Sequence, residues 1–460
     1  VAISIIVAEY LAQRDYANVR QVFRVSLRMM AVVGLVLAAA LVMAAGWLVE
    51  NGVIKDARAY YALLALTPAI FFATILASFR GYFQGHQLMT PPAVSQIVEQ
   101  FIRVVTMVVL AYVLLPYGLE FAAAGAAFGA VPGSLTGLVV LGGFYRYYKK
   151  QWRDEESALP GAQLTPARRL IKRLLLLALP VSCANVIVPV TSSIDVLLVP
   201  KYLLAAGFSV KEATTQFGYL AGMAQPLLLM ATIPTMSLAT SLVPAVSEAM
   251  ALKRWPLIEE KLATAMKLCC LITVPAAVGM SALAGPISRL LYGTGEAAAA
   301  IMHSGPAIWF LGLQQVTTGM LQGMGHTNLP MLHMLAGIVA KLIAVCQLTN
   351  AEYGIAGAAW ATNINFGVTA ALNILALQYF KIKFHWLSIC KIIFAALIMG
   401  AAAQALHGLL AGFNYTLATL AALAGAGVVY AALLPLLRII SVAELKQLPL
   451  VKKLAQKLRK

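Results

Sequence analysis

Charge is what this 460-residue sequence has least of: Asp, Glu, Lys and Arg together make up 11% of it. An ordinary soluble domain carries about 25%. A chain of this length without that polar surface cannot be a water-soluble enzyme, a nucleic-acid module or a secreted disulfide scaffold. Cysteine is scarce too. The five present (Cys183, Cys269, Cys270, Cys346 and Cys390) are odd in number, lie in or beside apolar runs and lack metal-ligand spacing. They read as small buried hydrophobes, with neither a disulfide framework nor a metal site implied. The six histidines do not cluster in sequence, and there is no phosphate-cradling loop and no HExxH. No enzyme and no cofactor is therefore expected, and energy for any transport must come from gradients or membrane potential. What abounds is hydrophobic residues, 61% of the chain, with a mean hydropathy of +0.84. That is the composition of an all-α polytopic membrane protein.

A spanning helix needs about 20 mostly apolar residues. Runs of that kind cover 29–48, 60–79, 93–115, 121–144, 174–199, 216–244, 263–284, 302–322, 329–349, 355–379, 387–410 and 415–438, twelve in all, and residues 1–7 look like the tail of another. The runs are continuous rather than alternating, which argues against barrel strands. Of the 34 Lys and Arg residues, 24 fall in one set of connections (8–28, 80–92, 145–173, 245–262, 323–328, 380–386 and 439–460) and five in the opposite set. The excess places the first set, and with it the C-terminus, in the cytoplasm. The same rule explains the net charge of +17 without nucleic acid. Loop 145–173 is basic enough to touch anionic lipid headgroups, though a plain cytosolic linker explains it as well.

The sequence repeats itself. Gly81-x-x-Gln84-Gly85 followed by Pro92 returns as Gly319-x-x-Gln322-Gly323 followed by Pro330, an offset of 238. Glu9, Ala12 and Tyr16 return as Glu248, Ala251 and Trp255 at 239, and Ala124–Phe128 as Ala356–Trp360 at 232. Six spans separate the copies, an even number, so the repeat is parallel and its two halves are expected to face each other across a central cavity. Two spans precede Glu248 but almost nothing precedes Glu9. The first half is thus expected to begin about 65 residues before Val1, giving a fourteen-helix full form with about twelve complete here. The expected divisions are an N-terminal lobe over 1–150, a basic linker over 151–173, a C-terminal lobe over 174–385, an extra helix pair over 386–440 and a basic tail over 441–460.

Ionisable groups inside a bilayer default to functional candidates. The acids inside spans are Glu99 and Asp195, and the deep bases are Arg103 and Lys341. Glu99 and Arg103, four apart, share a helix face and can neutralise each other. Arg103 and Lys341 are equivalent in the repeat, so the two could clamp one phosphate group from opposite walls. Asp195 reads as a structural acceptor or as a coupling-ion or proton site. Gln225, in a proline-rich span with Pro226, Pro234 and Pro244, suits a cavity wall or gate. Gln314, Gln315, Asn363 and Asn365 could bond sugar hydroxyls or act as interhelical glue.

Phe79-Arg80-Gly81-Tyr82-Phe83-Gln84-Gly85, then Met89-Thr90-Pro91, Ser95-Gln96 and Glu99-Gln100, resemble the stage V sporulation protein B group of polysaccharide-biosynthesis flippases. That group lies within the multidrug/oligosaccharidyl-lipid/polysaccharide exporter superfamily. Ser193-Ile194-Asp195 before Leu198-Val199-Pro200, Leu242-Val243-Pro244 with Ser247-Glu248, and Leu321-Gln322-Gly323-Met324-Gly325 fit the same group. The resemblance implies two parallel six-helix lobes plus a C-terminal pair. It also implies translocation of an undecaprenyl-pyrophosphate-linked saccharide, such as lipid II, across the bacterial cytoplasmic membrane by alternating access. The implied partners are the lipid-linked sugar, membrane lipids and cell-wall synthesis enzymes. Arg80, Gly81, Gln84, Gly85, Gln322 and Gly323 are its structural loop motif. Two alternatives stand beside it: a drug/cation antiporter of the same superfamily, and a non-transporting component of envelope glycan assembly.

Overall fold

The computed structural model describes residues 1–51, 59–156, 164–382, 384, 386–412 and 414–439. The expected basic tail 441–460, and 157–163 of the expected linker, lie outside the described residues. Among those described there are sixteen α-helices and no strand.

Two compact units divide the chain. Unit 1 holds α1 (Ala2–Ala12), α2 (Tyr16–Glu50), α3 (Ala59–Gly85), α4 (Thr90–Leu114), α5 (Leu119–Phe128), α6 (Ala130–Glu156) and α7 (Ala167–Ala205) as far as Leu179. It also takes in Val243–Trp255 and Gly323–Gly325. Unit 2 holds the rest of α7, α8 (Val210–Gly218), α9 (Gln225–Ala251) up to Leu242, α10 (Trp255–Ala282), α11 (Ala284–Tyr292) and α12 (Ala298–Gly323). Its remaining helices are α13 (Asn328–Leu348), α14 (Gly354–Tyr379), α15 (Trp386–Leu410) and α16 (Tyr415–Leu436). A π-helical turn, Tyr219–Ala224, joins α8 to α9.

Among the described residues ten helical stretches are long and apolar enough to cross a membrane, against the twelve runs expected. The two that differ are α12 and α14, each 26 residues long. They carry the polar candidates Gln314, Gln315, Asn363 and Asn365, and α14 buries Asn363, Asn365, Thr369 and Asn373 inside the protein. A helix whose neighbours are other helices needs less apolarity than one facing lipid. The protein is a multi-pass membrane protein.

Local chemistry sets the helix ends. Asp15 caps α2 by accepting from the Asn18 backbone N–H at 3.1 Å. Ser209 and Glu212 form a capping box on α8. The duplication is written into the backbone. After α1 the Asp15 N–H donates to Tyr10 O, and after α9 the Arg254 N–H donates to Ala249 O, both at the 239 offset. Arg14 and Lys253, equivalent at that offset, both take the left-handed conformation, with φ of 57° and 53°. Gln87 and Gly325 repeat the device after α3 and α12. Pro68 in α3 and Pro306 in α12 also correspond at 238.

The repeated glycines are contact points between helices. A Cβ on Gly85 would lie 2.5 Å from Val7 of α1, and one on Gly323 would lie 2.8 Å from Val246 of α9, the residue equivalent to Val7. Spaced four apart, Gly81 with Gly85 and Gly319 with Gly323 let backbones approach closely, as small residues do in membrane bundles. In unit 1, Phe23 anchors an aromatic core with Tyr82 (4.4 Å), Phe79 and Tyr145 (5.1 Å each), and Leu170 and Leu174 of α7 join that core. The chain entering α7 is pinned there too: Asn18 Oδ1 accepts from the Thr165 N–H at 2.8 Å, and Gln21 Nε2 donates to Thr165 O at 2.7 Å. Much of the expected linker 151–173 is therefore helical, with 151–156 in α6 and 167–173 in α7.

Candidate functional site

In unit 1, Arg80 on α3 and Glu99 and Arg103 on α4 meet in one cluster. Glu99, 5% exposed, accepts from Arg80 Nη2 on Oε2 at 2.6 Å and from Arg103 Nη2 on Oε1 at 2.7 Å. Both oxygens are used, each by a charge-assisted bond. Ser95, one turn before Glu99, faces Arg80 at 3.4 Å and donates to Pro92 O at 2.8 Å. Room for the carboxylate comes from α6: a Cβ on Gly133 would lie 2.9 Å from Glu99 O, and one on Gly137 would lie 3.4 Å from Glu99 Cβ. The cluster sums to one positive charge. Its cations are the accessible part, with side chains 25% (Arg80) and 35% (Arg103) exposed against 6% for Glu99.

Arg80 is the residue that sequence reasoning placed elsewhere, in the loop motif. It lies in the last turns of α3, nineteen residues before Glu99, and the helical hairpin between α3 and α4 brings them together. A lone base on an apolar helix one hairpin away from a lone acid was the available signal.

In unit 2, Lys341 of α13 donates to Asp195 Oδ2 of α7 at 2.6 Å, and both side chains are nearly inaccessible, 4% and 6%. Asp195 Oδ1 is buried without a hydrogen-bond partner among the described residues. Arg103 and Lys341 thus belong to different units, and each is engaged by a carboxylate of its own unit.

The amide candidates lie in unit 2. Asn363 Nδ2 donates to His303 O at 2.8 Å, while among the described residues its Oδ1 and the buried Gln314 Oε1 have no partner. Gln315 Oε1 accepts from Thr235 Oγ1 at 2.6 Å. Asn365 packs on Gly337, and Gln225 is half-buried where the π turn becomes α9. A separate polar network, in which Asn373 bonds Thr317, Thr318 and His333, ties α12, α13 and α14 together. Among the described residues no group of three or more His, Cys, Asp or Glu could hold a metal.

The family model for polysaccharide biosynthesis proteins matches residues 1–250, and that for MatE matches residues 220–345. Stage V sporulation protein B of Bacillus subtilis (strain 168) is 30% identical over 460 residues, covering 99% of this chain and 88% of that protein. Lipid II flippase MurJ of the same organism is 25% identical over 363 residues, covering 74% of this chain and 65% of the flippase. Among solved structures, the Vibrio cholerae MATE transporter VcmN in its bent form aligns with a TM-score of 0.67 at 12% identity, over 82% of this chain and 83% of its own. A likeness at that identity is one of fold.

Proposed function

Because the chain belongs to the polysaccharide biosynthesis protein family, we propose that it translocates an undecaprenyl-pyrophosphate-linked saccharide of the lipid II type across the bacterial cytoplasmic membrane by alternating access. A relative named as a lipid II flippase supports the substrate class. The observation that carries the reading is the Arg80–Glu99–Arg103 cluster, two guanidiniums on one carboxylate inside membrane-spanning helices.

A pyrophosphate-sugar headgroup cannot cross about 30 Å of hydrocarbon bare. Its charge needs cations and its hydroxyls need acceptors. Planar guanidiniums bind phosphate oxygens in pairs, and here Glu99 holds the two accessible ones ready with one positive charge to spare. In unit 2 the acceptors Asp195 Oδ1, Gln314 Oε1 and Asn363 Oδ1 have no partner among the described residues. Lys341 is committed to Asp195. The positive-inside pattern puts the C-terminus in the cytoplasm.

The second reading, a drug/cation antiporter, draws on the MatE match over 220–345. It needs an intramembrane carboxylate free to exchange a cation, whereas Glu99 and Asp195 are both held by bases. Rescue of a flippase-depleted bacterium, scored by lipid II accessibility at the outer face, is expected, together with no gain in drug efflux from a sensitive strain. Arg103→Ala is expected to abolish rescue at unchanged membrane abundance. Full rescue by the Arg103→Ala/Lys341→Ala double variant would overturn the site assignment.

A further inference from the structure

A pocket of about 440 Å³ lies in unit 2 where α13 turns into α14. Its walls include His303 of α12, Leu348 at the end of α13, Glu352 and Tyr353 in the turn, and Trp360 and Ile364 of α14. Small-molecule sites have this size and character, mostly apolar with a few fixed polar groups. The polar groups here are fixed. Trp360 Nε1–H donates to His303 Nδ1 at 3.2 Å, and Asn363 Nδ2 holds the His303 carbonyl at 2.8 Å. With Nδ1 accepting, the neutral imidazole carries its proton on Nε2, which is then a donor. Asn350 Oδ1 accepts from the backbone N–H groups of Glu352 and Tyr353 at 3.0 Å each, setting the turn that presents both side chains. Trp360 and Tyr353 remain 43% and 50% exposed.

The duplication supplies an internal control. In the first copy Phe128 replaces Trp360, Phe121 replaces Tyr353, Ala65 replaces His303, and Glu120 matches Glu352. There Tyr61 stacks on Phe121 at 5.3 Å; its counterpart in the second copy is Ala299. The repeated fold thus needs neither the indole nor the imidazole. Aromatic rings at a membrane interface serve as a belt, but a belt does not require an imidazole of fixed tautomer beside a carboxylate.

We propose that this pocket binds a sugar ring, its C–H face on the Trp360 indole and its hydroxyls on the Glu352 carboxylate and His303 Nε2–H. The negative face of the indole attracts the polarised C–H groups of a pyranose. The assignment rests on the saccharide reading above and adds a soluble-sugar site apart from the arginine cluster.

Calorimetry on the purified full chain in detergent tests it, with N-acetylglucosamine and its β-1,4-linked disaccharide as probes. Saturable binding of the disaccharide is expected, at least tenfold weaker in Trp360→Ala and severalfold weaker in Glu352→Gln. Should Trp360→Ala not fold, Trp360→Phe carries the test: the retained ring keeps affinity within about threefold while Glu352→Gln still loses it. Absence of saturable binding to the unaltered chain, equal affinity in Trp360→Ala and Glu352→Gln, or Trp360-dependent binding of tetramethylammonium in place of sugar would each overturn the proposal. Sugar binding without lipid II movement would remove the transport reading and leave this one standing; movement without sugar binding would do the reverse.

Discussion

Gly337 stands in the second repeat where Glu99 stands in the first. The exchange is matched on the facing helices. Gly133 and Gly137 of α6, which make room for Glu99, correspond to Asn365 and Thr369 of α14. A Cβ on Gly337 would lie 2.3 Å from Thr369 Oγ1 and 2.7 Å from Asn365 Oδ1. Bulk has passed from one helix of the pair to the other while the close approach is kept. The loss of a carboxylate at 337 also explains the partner of Lys341. The counterpart of Arg103 has no acid one turn away on its own helix, and Asp195 of α7 supplies it.

Adding one methyl should separate these glycines by context. Gly133→Ala drives a Cβ into α4 and is expected to cost about 1–3 kcal/mol. Gly142→Ala meets nothing within 4 Å among the described residues and should gain up to about 1 kcal/mol from helix propensity. Thermal unfolding in detergent reads both, and a fall of equal size for the two would contradict the packing account.

Lys341→Met strands a buried carboxylate, and loss of one partner of such a pair costs about 3–5 kcal/mol. Lys341→Met/Asp195→Leu removes both charges and is expected to recover most of the midpoint lost by the single variant. A double variant no more stable than Lys341→Met would show that the pair is not the source of the loss.

Arg80→Ala leaves Glu99 with Arg103 alone and cancels the surplus charge of the cluster. Translocation is expected to fall at least tenfold with membrane abundance within twofold of the unaltered chain. Arg80→Lys, which keeps charge but loses the planar fork, should lie between. Lipid II accessibility at the outer face measures all three, and full activity in Arg80→Ala would detach the residue from the headgroup path.

His86 follows α3 directly, outside the span, with its ring 4.6 Å from that of Tyr82. Burial pushes its imidazole down to about 3, against an ordinary value of about 6.5. Below 6.5 the unfolded chain takes up a proton that the folded chain refuses, so the unfolded state binds more protons in that window. The stabilisation is complete above pH 6.5 and drains away as pH falls towards 3. His86→Asn should flatten the unfolding midpoint between pH 6.5 and 4, and an unchanged slope would exclude His86 as its cause.

How much of this was written in the sequence depended on distance along the chain. Glu99 and Arg103 share a face because four residues make about one helical turn. The repeated glycines were visible as a motif, but that they meet Val7 and Val246 needed the packing of helices far apart in sequence. Arg80 escaped because its partner sits on the next helix. The Asp195–Lys341 bond spans 146 residues, and the repeat itself misdirects there, since it equates Lys341 with an arginine whose acid has no counterpart. Hydropathy registers length and apolar content and is blind to which neighbours a helix will have, so the burial of Asn363, Asn365 and Asn373 in α14 was not legible there.

That blindness has a consequence for biogenesis. The amides that α12 and α14 carry are costlier in lipid than against neighbouring helices. Each sits next in the chain to α13, which is long and apolar enough for a solitary span. Lateral release of this region is then a collective act, in which α13 escorts its two companions and their polar groups find one another before meeting acyl chains.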